Sequence, residues 1–111
     1  MHSHAKRGPR IVITGIGAVT NLGQDAPSTW QMMREGRSGI GPIEAEAFGR
    51  YGTQWDVRIA GQIKNWDPGK FMDAREARRL DRFCQFGVAA AIEAVRQSGL
   101  DVAKIDGERA G

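Results

Sequence analysis

The sequence is poor in the side chains that cross-linking and acid–base chemistry draw on most. Cysteine occurs once, at Cys84, which excludes an intrachain disulfide and fits a reducing compartment. Histidine occurs only at His2 and His4, in a polar and basic opening stretch, so the remaining chain lacks the commonest general base at neutral pH. No apolar run approaches the roughly 20 residues that a bilayer span requires. The stretch from Ile11 to Val19 is interrupted by Gly15 and Gly17 and has no small-residue cleavage site, so it does not read as a signal peptide. Internal repeats and low-complexity segments are absent as well. Together these absences lead us to expect a cytoplasmic protein with no membrane segment and no bound metal.

What remains is an ordinary globular composition on a short chain. The 111 residues are 41% hydrophobic and 26% charged, enough for one small domain with a limited core. The formal net charge of +3 is a mild excess that favours an acidic partner, either nucleic acid or an acidic protein. Where the basic residues cluster discriminates between the two better than the total does.

Residues 1–9 read as a flexible basic tail. Ile11-Val12-Ile13-Thr14 is a β-branched run without polar alternation and reads as a strand buried on both faces. The glycines behind it, Gly15 and Gly17, mark a tight loop. Asp25, Pro27 and the later Gly36 bracket a helix over residues 27–35. Residues 41–56 show no period and read as an irregular connection. Residues 57–63 alternate apolar and polar side chains and read as a second strand with one solvated face. Trp66-Asp67-Pro68-Gly69 reads as a turn.

Asp73 with Glu76 three residues on has the form of a capping box. Behind it Leu80, Phe83, Cys84, Val88, Ala91, Ile92 and Val95 recur at helical spacing, and Gly99 closes the pattern. This predicts one long amphipathic helix. Residues 101–111 read as a polar connection that stops at the start of another element. The fold class is α/β, with about two strands and two main helices that cannot cover one another's apolar faces well, and hence incomplete.

Four groups are candidates for chemistry. Gly15-Ile16-Gly17 after a strand invites a dinucleotide reading, but the sixth position of GxGxxG is Thr20, and about ten residues separate Gly17 from the helix start at Pro27. A close-packed glycine turn fits better. Cys84 has no activating base in the pattern and reads as a small core hydrophobe. His2 and His4 sit on a tail that does not preorganise a metal site. The best signal is basic: Arg75, Arg78 and Arg79 stand at i, i+3 and i+4, with Arg82 one turn on, and only Glu76 and Asp81 interrupt them. Such a patch pairs with phosphate or clustered carboxylates, and its alternative is a solvated helix face.

The ordered motifs resemble the N-terminus of a β-ketoacyl-acyl carrier protein synthase, closest to the type II (FabF-like) condensing enzymes. Residues 10–17, Asn21-Leu22-Gly23 with Ser28-Thr29-Trp30, Gly36-Arg37-Ser38-Gly39-Ile40 and residues 57–61 match in sequence order. So do residues 78–83 and Ala89-Ala90-Ala91, and the match spans residues 10–111. The resemblance implies a thiolase-like layered fold, of which this chain supplies the N-terminal segment, truncated before the third strand. It implies decarboxylative condensation in fatty acid synthesis by a homodimer that uses no cofactor. The family's catalytic cysteine and two histidines fall beyond residue 111, so no catalytic residue carries over, and Cys84 stands where the family has an aliphatic residue. Arg75, Arg78 and Arg79 occupy positions at which the family meets its acidic acyl carrier protein. The chain alone is then expected to be inactive, with neither nucleic acid nor membrane as partner. A non-catalytic carrier-binding module, a polyketide ketosynthase fragment and a nucleotide-binding α/β piece remain open as alternatives.

Overall fold

The computed structural model describes residues 8–110. The tail reading and both histidines therefore lie largely outside the described residues, as does Gly111.

Helix α1, Ala26–Arg34, begins where Asp25 turns extended and its carboxylate accepts the Ser28 amide at 2.7 Å. It ends in a paired carbonyl closure: the Gly36 amide donates to the Met33 carbonyl and the Arg37 amide to the Met32 carbonyl, with Gly36 at a φ of 68°. The predicted bounds are shifted by one residue at each end.

The irregular connection contains short elements that the sequence pattern does not display. Strand β1, Gly41–Pro42, is followed by helix α2, Ala45–Phe48, and a 3₁₀ segment, Gly49–Gln54. Strand β2, Ile59–Ala60, returns antiparallel to β1 with Gly41 opposite Ala60 and Pro42 opposite Ile59. One further bond, from the Ile43 amide to the Arg58 carbonyl at 2.9 Å, extends the pairing. The ladder is much shorter than the seven-residue alternation of residues 57–63 predicts. Its partner strand is two residues long, contains a proline without an N–H, and then turns into α2.

The expected turn at Trp66 is a 3₁₀ turn, Pro68–Lys70, held by the Asp67 carboxylate on the Gly69 amide at 2.9 Å. It places Trp66 at the centre of an aromatic cluster. The indole stacks on Phe71 with ring centroids 5.3 Å apart and meets the edge of Phe86 at 4.8 Å. Its Nε1 donates to the Gln85 Oε1 at 2.8 Å. Among the described residues, Met72, Ala77 and Ala89 are the buried apolar side chains.

The single long helix predicted from Asp73 onward is two helices. Asp73 caps helix α3, Ala74–Ala77, by accepting the Glu76 amide at 2.8 Å. The chain then tightens, with the Arg79 amide on the Glu76 carbonyl and the Leu80 amide on the Ala77 carbonyl. Helix α4 runs from Arg82–Ser98 and stops at Gly99 with φ 70°. The break is stabilised from one turn later: the Gln85 side-chain amide donates to the carbonyls of Ala77 at 2.9 Å and Leu80 at 3.2 Å. The apolar face of α4 is also covered differently from the prediction. Phe83 is 71% exposed, whereas Ala89 is the residue sealed against the protein.

The predicted first strand has no ladder among the described residues, and its side chains are open: Ile11 is 92% and Ile13 85% exposed. The expectation of a strand buried on both faces is corrected here. Among the described residues no neighbouring strand lies beside it to pair with or to cover it. The next segment, residues 15–18, lies on α4. The Ile16 amide donates to the Gln97 Oε1 at 2.6 Å and the Ala18 amide to the Glu93 Oε2 at 2.9 Å. Glycine is required at both contacts, because a Cβ on Gly15 or Gly17 would overlap the helix carbonyl oxygen of Ala94 or Ala90. The molecule is long, 71 × 40 × 24 Å, with a radius of gyration of 19.8 Å, where a compact domain of this length has about 13 Å.

Candidate functional site

Arg75 stands in the four-residue helix α3, Arg78 caps its C-terminus in helical geometry, and Arg79 opens the tight turn before α4. The helix break keeps all three on the surface of one short, sharply folded segment. All three are exposed, and none has a hydrogen-bonding or ion-pair partner for its guanidinium group among the described residues. Ion pairs occur elsewhere, as in Arg37 with Glu35 at 2.9 Å. Arg75 and Arg79 share a shallow hollow with Asp73 and Glu76, and Arg78 lies outside it.

Arg82 does not extend the open patch. Its guanidinium donates to the Ile63 carbonyl and lies over the Phe86 ring, 5.5 Å from the centroid. It links the Ile63 carbonyl to the Phe86 edge of the Trp66 cluster while remaining exposed. The spacing of the four arginines does not separate this link from the three free side chains. The aromatic at Phe86, four residues after Arg82, is the signal that distinguishes it.

Other candidates resolve into packing. Gly15 and Gly17 bring backbone onto α4 and do not open into a helix N-terminus, which agrees with the close-packed turn and not with a phosphate cradle. Cys84 is half-buried on α4 and unpaired. Among the described residues no cluster of three His, Cys, Asp or Glu is placed to hold a metal. None of the described helices is long and apolar enough to cross a membrane.

Sequence reasoning misses Glu93. It is the one acid within α4, and its two oxygens accept two amides: Ala18 at 2.9 Å and Ala26, the first residue of α1, at 2.8 Å. One carboxylate thus ties the glycine segment and the start of α1 to α4. A lone acid among Ala90, Ala91, Ile92, Ala94 and Val95 is the available signal. Asp25 stands next to the second of these amides, and its own carboxyl is held below its ordinary pKa by the hydrogen bonds from Ser28.

An N-terminal segment laid on a long helix, a glycine closure on α1 and an arginine-bearing break before α4 make up one mixed α/β segment. A solved structure described as the ishigamide ketosynthase/chain length factor is similar in fold. That structure matches with a TM-score of 0.66 and 29% identity over 85% of this chain and 22% of that one. The chain belongs to the β-ketoacyl synthase family: the model of the β-ketoacyl synthase N-terminal domain matches residues 9–111. Among curated proteins it is similar to the 3-oxoacyl-(acyl-carrier-protein) synthase 2 of Synechocystis sp., with 36% identity over 107 residues. It is likewise similar to the synthases of that name from Vibrio harveyi, at 36%, and Staphylococcus aureus, at 39%. Each alignment covers 92% of this chain and 24% of the relative, so the chain spans about a quarter of their length.

Proposed function

We propose that this chain is the opening part of a 3-oxoacyl-(acyl-carrier-protein) synthase of fatty acid biosynthesis, and that Arg75, Arg78 and Arg79 receive the acyl carrier protein. Residues 10–111 then form the N-terminal segment of the synthase domain up to its third strand, behind a basic tail. The complete protein is a cytoplasmic homodimer. In its reaction a cysteine thiolate takes the acyl group from the carrier thioester and releases the carrier thiol. A malonyl thioester loses CO₂, and the carbanion left behind attacks the enzyme-bound acyl carbonyl. A carbon–carbon bond forms, the thiolate leaves, and the 3-oxoacyl product is two carbons longer. No residue of this chain is given a part in those bond changes, and the chain alone is inactive.

The observation that carries the reading is the set of three exposed guanidinium groups without intramolecular partners among the described residues, on a segment whose relatives are named for a carrier-protein substrate. Free arginines in a family with that substrate are suited to carboxylate-rich partners. The structural likeness to a ketosynthase/chain length factor supports polyketide chain extension as the second reading. Replacing Arg75, Arg78 and Arg79 with Glu in the complete enzyme tests the carrier surface. Carrier affinity is expected to fall about tenfold or more, as three exposed charge contacts change sign, while turnover of small acyl thioesters stays nearly intact. Equal loss of both activities would count against it.

A further inference from the structure

The hollow between Arg75 and Arg79 is not uniformly basic. Asp73 and Glu76 line it too. The two acids are in different situations. The Asp73 carboxylate is committed to the Glu76 amide at 2.8 Å, where it starts α3. The Glu76 carboxylate has no such task. A capping box would send it back to the Asp73 amide, yet it makes no hydrogen bond or ion pair among the described residues, and it is exposed. It is one residue from Arg75 and one helical turn from Arg79, and it pairs with neither.

We infer that Glu76 is a specificity-determining residue of this surface, selecting an acidic partner surface that sets one basic side chain among its carboxylates. The inference rests on the carrier-docking reading of Arg75, Arg78 and Arg79 and goes one step further. A partner carrying only carboxylates gains the arginines but meets Glu76 beside them, and like charges in contact repel. A partner with one Lys or Arg in register turns that repulsion into an attraction. Selection of this kind works by penalising the wrong partner as much as by favouring the right one.

The test uses two helical peptides that differ at one position. One presents glutamates alone, and the other has a lysine in the middle of the glutamate face. Binding to the complete synthase, of which this chain is the opening part, is measured by titration at low salt for the parent, Glu76→Gln, Glu76→Asp and Arg75→Ala/Arg79→Ala. The parent is expected to prefer the lysine-bearing peptide about two- to fivefold, the range of one exposed charge contact. Glu76→Gln binds the all-glutamate peptide more tightly, and the preference falls towards unity. Glu76→Asp, which keeps the charge on a shorter stem, retains part of it. An unchanged preference in Glu76→Gln, with Arg75→Ala/Arg79→Ala still weakening both peptides, overturns the role of Glu76 and leaves the docking surface standing. Absence of binding by either peptide, or binding unaffected by loss of Arg75 and Arg79, overturns both. Because the α3 cap uses the Glu76 amide and not its carboxylate, the Gln variant keeps the local fold, and its circular dichroism should match the parent.

Discussion

Glu93 serves two amides that no other group reaches among the described residues, and this makes its substitution the most informative single change in the chain. Glu93→Ala leaves the Ala18 and Ala26 amides without a partner, at a cost of about 1–3 kcal/mol. Hydrogen exchange at Ala18 and Ala26 should accelerate together, because one side chain protects both. Acceleration at Ala18 alone would show that α1 is anchored independently. Asp25 makes the companion prediction. Its cap on Ser28 is worth about 1 kcal/mol, so Asp25→Ala should speed exchange at the Ser28 amide about fivefold. The folded carboxyl titrates below its ordinary value of 3.8, so its stabilisation is present above that pH and lost as pH falls through the lower folded value. The parent and Asp25→Ala should therefore converge in Ser28 exchange protection under strongly acidic conditions, after correction for intrinsic rates. A gap that persists there would place the cap energy in something other than the ionised carboxylate.

At the scale of elements, what is legible in the sequence is what neighbouring residues decide among themselves. Asp25, Gly36, Asp73 and Gly99 mark helix ends by local chemistry, and the structure places ends at or beside each of them. The break between α3 and α4 is hidden for the converse reason. The apolar period runs through it without a fault, from Leu80 to Val95, while the groups that stabilise the break come from Gln85 and the Trp66 cluster. The first strand is misread by the same logic, since a ladder depends on a partner that the run Ile11-Val12-Ile13 does not encode. Of the candidate site, three arginines are readable by spacing, and the engagement of Arg82 with the Ile63 carbonyl and the Phe86 ring is not. Gln85 gives the element-scale prediction. Gln85→Leu removes one acceptor from the Trp66 indole and two donors from the Ala77 and Leu80 carbonyls, so it should cost about 1–3 kcal/mol. It should also alter the Trp66 fluorescence, which can be read in a variant whose Trp30 and Trp55 are replaced by Phe. An unshifted Trp66 spectrum with full protection at Arg79 and Leu80 would show that the break stands without Gln85.

The whole molecule is extended, with an open backbone along residues 10–14 and large apolar side chains in contact with water at Ile11, Val12, Ile13, Trp30, Met33 and Phe83. Two different surfaces are thereby exposed. The first is residues 10–14, which have no ladder among the described residues and offer their amides and carbonyls to another strand. The second is an apolar area on α1 and α4, which recruits any hydrophobic surface. The isolated chain should therefore self-associate or remain molten, bind a hydrophobic dye and lack a sharp melt. The two surfaces are separable. Ile11→Lys/Ile13→Lys keeps the backbone open but makes strand addition unfavourable, whereas Phe83→Lys alters only the helix face. If backbone pairing drives association, the double lysine variant should raise the solubility limit several-fold and leave dye binding nearly unchanged. If apolar contact drives it, Phe83→Lys should lower both association and dye binding. A sharp cooperative melt of a monomeric parent chain would contradict this account, because the core among the described residues, Met72, Ala77 and Ala89, is too small to hold a chain of this length in one compact state.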